Sequence, residues 1–274
     1  MPQIAVITFN NIPENDWMFK YERLGQMAIE NRRQYCQRHG YTFIYDVEIP
    51  TDRPACWAKI PAILQAFEDH EWVLWADSDT LIFDKSRRLE GFCDENFDLI
   101  VQSQEEFFRY IGVDVSEGVA QMPINTGVFL IKSSDWSRAF LQEAYNQDRF
   151  IDKGEYWNGI GEQEAMIEVL KRHPEDVDRI AYVQNLQNHP KLYNDADMFV
   201  HFYGHYTRHH IALSECEEVL SRWEQANNND QPFPKDISRF HWVCVQNKAA
   251  DAPIMHGDLE RYLYSPLDIA AIKT

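Results

Sequence analysis

A layered α/β domain built on a parallel sheet is the fold class this sequence predicts, and three observations carry it. Short apolar or β-branched runs recur at residues 4–9, 41–45 and 72–76, each of strand length. Amphipathic stretches of helical period separate them. The β-α-β-α-β order that results favours parallel strands with helices layered against them. A chain of 274 residues is long enough for one sizeable domain, or one domain with an appendage.

The elements follow in order. Ile4-Ala5-Val6-Ile7-Thr8-Phe9 suits a buried strand opening at Asn10-Asn11 into a polar loop. A helix is predicted from about Tyr21 to Arg38, with Leu24, Met27, Ala28, Asn31 and Tyr35 on one face and His39-Gly40 closing it. Residues 41–45 alternate and supply the second strand. The next helix, from about Trp57 to His70, spaces Ile60, Ile63, Leu64 and Phe67 for burial and delivers the chain into the strand Trp72-Val73-Leu74-Trp75-Ala76. Further strands are predicted at residues 98–101, 127–131, 180–183 and 198–202, and helices at 136–148, 161–172 and beyond Ser214 to about Gln225. Residues 102–121 are polar and aromatic with glycines, a pattern of a loop or short helix lining a cleft. Asn227-Asn228-Asn229-Asp230 reads as a breaker. These signals divide the chain into a domain over 1–225 and a C-terminal extension over 226–274 packed on it.

Composition excludes several functions. A formal net charge of −18 and an isoelectric point near 4.9 argue against nucleic acid as a partner and against broad attraction to an anionic membrane. Arg32-Arg33 and Arg208-His209-His210 remain as local basic patches able to hold one anionic ligand. The five cysteines are scattered, odd in number and unpaired by any CxxC spacing, as expected of reduced core thiols. A strand begins almost at the first residue, and no apolar stretch reaches the length of a bilayer crossing. A cytoplasmic enzyme without a membrane span is therefore the simplest expectation, with peripheral association left open.

Asp77-Ser78-Asp79 carries the chemistry. In an extended segment, side chains at i and i+2 point the same way, so both acids are expected to project from the end of the strand at 72–76. Two adjacent carboxylates repel unless they share a proton or bind a cation. Oxygen ligands suit Mg²⁺ or Mn²⁺, whose other positions accept the oxygens of a diphosphate.

Six phrases fall in a recognisable order: Tyr35-Cys36 with His39-Gly40-Tyr41, Trp57-Ala58-Lys59-Ile60, Trp75-Ala76-Asp77-Ser78-Asp79, residues 125–131 from Asn125-Thr126-Gly127, Glu162-Gln163, and His201-Phe202-Tyr203-Gly204. Together they resemble the galactosyl-, mannosyl- and xylosyltransferase family of fungi and plants, glycosyltransferase family 34, over roughly residues 21–208. The resemblance implies a single Rossmann-like domain of the GT-A type, with a mixed, mainly parallel central sheet flanked by helices. It implies a metal-dependent, retaining transfer of a hexose or pentose from a UDP-sugar, UDP-galactose or UDP-xylose, to a carbohydrate acceptor. The ion would be Mn²⁺, with Mg²⁺ as the alternative, held by Asp77, Asp79 and His201. Asn125, Glu162 and Gln163 would lie where acceptor and donor sugar meet, Gln163 beneath the reacting carbon. Thr8, Phe9 and Asn10 would face the uridine by position in the fold, and Lys59, Asp77, Ser78, Gly204 and Arg208 would contact the rest of the donor.

Two departures from the family pattern stand out. Gly161 replaces the first acid before Glu162-Gln163, and His205-Tyr206 stands where several family members carry a phosphate-gripping lysine, so that either Arg208 fills that role or the loop differs. Both keep open a catalytically silent sugar- or nucleotide-binding protein of the same fold. A metal-dependent nucleotidyltransferase would want a Gly-rich basic loop after the first strand, and Phe9-Asn10-Asn11-Ile12-Pro13 is not one. Aromatic residues make up 14% of the chain, and Trp17, Trp57, Trp136, Trp157 and Tyr203 are the rings considered for stacking on sugar.

Overall fold

A computed structural model describes residues 2–10, 22–50, 52–103, 124–151, 161–188, 195–202 and 217–233. In chain order the strands are β1 (Ile4–Ile7), β2 (Thr42–Ile44), β3 (Trp72–Ala76), β4 (Thr80–Ile82), β5 (Leu99–Ser103), β6 (Ile124–Lys132), β7 (Ile180–Val183), β8 (Gln187–Asn188) and β9 (Phe199–His201). The helices are α1 (Glu22–His39), α2 (Lys59–Ala66), α3 (Asp135–Tyr145), α4 (Glu162–Arg172) and α5 (Glu217–Asn228).

The main sheet has the order β2-β1-β3-β6-β5-β7. β1 runs parallel to both β2 and β3, and β5 parallel to β7, whereas β6 is antiparallel to both its neighbours. The mixed, mainly parallel sheet is thus present, and its mixed character comes from one strand. Uniformly apolar runs such as Val128-Phe129-Leu130-Ile131 are buried on both faces and carry no mark of direction.

Alternation along the strands sorts the core into two layers. Ala5, Ile7, Val73, Trp75, Phe129 and Ile131 face the helices α2, α3 and α4. Ile4, Val6, Trp72, Leu74, Val128 and Leu130 face the other way, where Tyr35 and Cys36 of α1, Ile82 and Phe199 cover them. Those last two residues belong to a second sheet, β4-β9-β8, that leaves the main sheet right after Asp79. Neither β4 nor β8 was read as a strand: β4 follows the acidic phrase directly, and β8 is only two residues long.

Other boundaries moved for local reasons. α1 ends where Gly40 adopts φ +79° and its N–H bonds the Cys36 carbonyl, the left-handed cap glycine allows. The helix expected from Trp57 to His70 is a 3₁₀ turn over Ala55–Ala58 followed by the shorter α2. α5 continues to Asn228, past the helix end expected near Gln225, and its Asn227 is fully buried against α1. Cys36 is a buried free thiol, Cys56 and Cys93 are partly buried free thiols, and Cys216 and Cys244 lie outside the described residues. No helix among the described residues is long and apolar enough to cross a membrane.

Candidate active site

Asp77 continues the alternation of Val73 and Trp75 toward the α2–α4 layer. The chain then turns: the Thr80 N–H and hydroxyl both bond the Asp77 carbonyl, at 3.1 and 2.8 Å. The two acids are therefore positions one and three of a β-turn between β3 and β4, and the extended geometry expected for them is not what brings them together. Two ladders hold the turn. The Asp77 N–H bonds the Gly127 carbonyl on β6 at 2.7 Å, and Thr80 pairs with His201 across β4–β9, so the imidazole arrives beside Asp79.

Asp77, Asp79 and His201 offer ligand atoms that all lie within 4.8 Å of one another. His201 Nε2 is 3.3 Å from Asp79 Oδ1, and the ring is 5% exposed, against 17% for the Asp79 side chain and 32% for Asp77. The imidazole thus lines the cluster from below and Asp77 forms its open side. Two carboxylate oxygens and one imidazole nitrogen at this spacing suit Mn²⁺ or Mg²⁺ with room for further oxygen ligands.

Asp77 is held from behind. Its Oδ1 accepts the Trp75 indole N–H at 2.6 Å and lies 3.3 Å from Lys59 Nζ, which leaves Oδ2 for an external ligand. Burial raises the Asp77 carboxyl above its usual range and the repulsion of Asp79 adds to this, with Lys59 opposing. Burial acts the same way on Asp79, but the charge and hydrogen bond of His201 outweigh it and hold that carboxyl below the usual range. The two acids are driven apart, as expected of neighbouring carboxylates.

Several of the expected contacts are buried. The Lys59 ammonium is buried, donating to Glu162 Oε1 at 2.6 Å and the Thr126 carbonyl at 2.9 Å. It therefore sits behind the acids, neither snorkelling to solvent nor open to a ligand; burial alone would lower its pKa, but Asp77 and Glu162 raise it overall. Glu162, expected where acceptor and donor sugar meet, is 7% exposed and tied to that lysine. Thr8 and Phe9, expected on the uridine, are buried, and Phe9 packs on Trp75 with ring centroids 5.9 Å apart. Asn10 is half-buried at the loop entrance, and Ser78 is buried in the turn. Trp57 is a core ring and Trp136 stacks on Phe140. Gly204, Arg208, Trp17, Trp157 and Tyr203 lie outside the described residues.

Gln163 and Asn125 frame the β6 entrance. Gln163 Oε1 accepts the Thr126 N–H at 3.0 Å, which commits the oxygen inward and leaves the amide NH₂ for another partner. Asn125 Oδ1 accepts the Gly127 N–H at 2.8 Å. Gly127 itself is forced: a Cβ there would collide with the His201 ring, 2.6 Å from Nδ1, and lie 2.9 Å from Asn125 Oδ1.

Three residues at the site escaped the sequence reading. Arg32, taken there for half of a basic surface patch, is fully buried and donates to the carbonyls of Asp77 and Thr80, each at 2.9 Å, and to the Thr80 hydroxyl. Desolvation lowers its pKa to about 10 against the pull of Asp77 and Asp79. Gln187 on β8 meets His201 Nδ1 at 2.9 Å, and Gln102 Oε1 accepts the N–H groups of both Leu186 and Gln187 at 2.9 Å. For Arg32 a signal existed, since it lies one turn from Ala28 and Cys36 on the buried side of α1; the two glutamines had none.

Known structures and sequences bear on this arrangement. A crystal structure of a glycosyltransferase involved in the glycosylation of the major capsid of PBCV-1 superposes with a TM-score of 0.57 at 20% identity, covering 80% of this chain and 99% of that one. The mixed sheet between two covering layers, with its Asp-x-Asp turn at a strand end, defines a GT-A-type domain. The chain belongs to the galactosyl transferase GMA12/MNN10 family, whose model matches residues 1–212. An uncharacterized alpha-1,2-galactosyltransferase of Schizosaccharomyces pombe is 30% identical over 64% of this chain and 55% of its own length. A probable alpha-1,6-mannosyltransferase of Saccharomyces cerevisiae is 25% identical over 66% and 52%. The chain thus spans little more than half the length of these two relatives.

Proposed function

We propose that this chain is a metal-dependent, retaining glycosyltransferase that moves a hexose or pentose from a UDP-sugar, UDP-galactose or UDP-xylose, to a carbohydrate acceptor. The observation that carries the reading is the convergence of Asp77, Asp79 and His201 at the end of β3 within 4.8 Å, in a family whose relatives are named galactosyl- and mannosyltransferases. A divalent ion there, Mn²⁺ or Mg²⁺, would stabilise the negative charge that grows on the departing diphosphate. The chain's own residues supply the rest. Lys59 and Trp75 fix one oxygen of Asp77, so the other keeps a set direction. Gln163, anchored through its oxygen, has two amide protons to offer a sugar or phosphate oxygen at the β6 entrance. Glu162 is neutralised by Lys59 and is a poor nucleophile where it stands, which favours a front-face transfer, with the leaving phosphate taking the acceptor's proton, over a double displacement through that carboxylate.

The test is UDP release when the protein is mixed with Mn²⁺, each UDP-sugar in turn and a panel of carbohydrate acceptors. Release with one donor, abolished by a chelator, is the expected result. No release or hydrolysis with any of them would overturn the proposal.

A further inference from the structure

One buried amide at the site has its orientation fixed. Gln187 is 2% exposed, and its Nε2 donates to the carbonyls of Asn125 at 3.1 Å and Val128 at 2.8 Å. Reversing the amide would press its oxygen against two carbonyl oxygens, so Oε1 faces the His201 ring, 2.9 Å from Nδ1. An amide oxygen only accepts, and Nδ1 must therefore carry a proton. The other nitrogen, Nε2, is the one turned to Asp79 at 3.3 Å. The frame around this contact is rigid: Gln102 anchors the backbone of β8, Thr80 pairs with His201, and the missing side chain of Gly127 leaves the ring its space.

Resting on the reading of Asp77, Asp79 and His201 as a cation site, we propose that Gln187 is a positioning residue that fixes His201 in the Nδ1–H tautomer and presents Nε2 as the ligand atom. With a cation bound, the proton stays on the Gln187 side and the Nε2 lone pair points into the cluster. A partner on the far nitrogen sets ring plane, tautomer and basicity of a ligating histidine, and its loss typically weakens metal affinity about 10- to 100-fold.

The full chain is titrated with Mn²⁺ in the presence of UDP, free Mn²⁺ being followed by electron paramagnetic resonance. Gln187→Met keeps the length and removes the acceptor; Gln187→Glu keeps an acceptor oxygen. The expected result is a Kd raised at least about tenfold in the methionine variant, with the glutamate variant closer to the parent. Long-range ¹H–¹⁵N correlation of histidine-labelled protein with Mg²⁺ and UDP, with His201 assigned by His201→Asn, should show the proton on Nδ1. A folded methionine variant within about threefold of the parent, or a proton on Nε2 in the parent, overturns the assignment; should the methionine variant fail to fold, the tautomer in the parent decides. Absence of Mn²⁺ uptake by the parent would instead sink the cation site, and this assignment with it.

Discussion

Replacing Gly127 by alanine is expected to harm a histidine far away in sequence. The added methyl collides with the His201 ring, so either the ring moves or β6 does; overpacking of this kind typically costs about 1–3 kcal/mol. Calorimetry should show a lowered Tm, and a Mn²⁺ titration a weaker site. Lys59 acts through charge instead. Lys59→Met leaves Glu162 and the back oxygen of Asp77 uncompensated, a loss of about 3–5 kcal/mol for a broken buried pair, measurable by urea unfolding. The pH dependence has a definite sign. The folded pKa of Lys59 is raised above the unfolded value, so its contribution is complete below about pH 10.4 and fades as pH climbs from there through the folded value. Above neutral pH the stability gap between parent and variant should accordingly stay level until the alkaline end; a gap that already narrows between about pH 7 and pH 9 would contradict the charge assignment.

At the scale of elements, α1 is the support of the acidic turn. Asn31 pairs its amide with both backbone groups of Ile82 on β4, at 3.0 and 2.8 Å, and its NH₂ also reaches Asn227 on α5 at 3.0 Å. Arg32→Leu would leave the carbonyls of Asp77 and Thr80 without this donor, yet would also remove the cost of burying a guanidinium. About 1–3 kcal/mol of net destabilisation is expected, together with weaker Mn²⁺ binding; unchanged metal affinity would mean the turn holds its shape without α1. The same elements explain what could be read in advance. Long periodic segments such as α1 and α4, and apolar runs such as β3, announce themselves because many residues repeat one pattern. The Asp-x-Asp phrase marked the carboxylates, but the cause of their convergence, a turn, is invisible to a rule about extended strands. β8 has too few residues to show alternation, which is why Gln187 went unnoticed. Arg32 was placed outside because charged side chains rarely lie fully buried, and Lys59 was expected on the donor, where its head would be open to a ligand; both lie buried against the concentrated negative charge around Asp77.

For the molecule as a whole, a chain with net charge −18 assembles its acidic site between two buried cations, Arg32 on the α1 side and Lys59 on the α2 side. Binding of Mn²⁺ and UDP to the folded form alone should raise stability by mass action, about 2.7 kcal/mol at a hundredfold excess over Kd. A thermal shift that needs both ligands, and disappears in an Asp79→Asn variant, is the expected outcome; a shift from UDP alone would place the nucleotide elsewhere. Arg32 and Lys59 also mean that the acidic turn has internal counter-ions of its own. Dialysis against a chelator should therefore strip the site while leaving the circular dichroism spectrum in place, so that the ion behaves as an exchangeable companion of the nucleotide and has no part in building the scaffold.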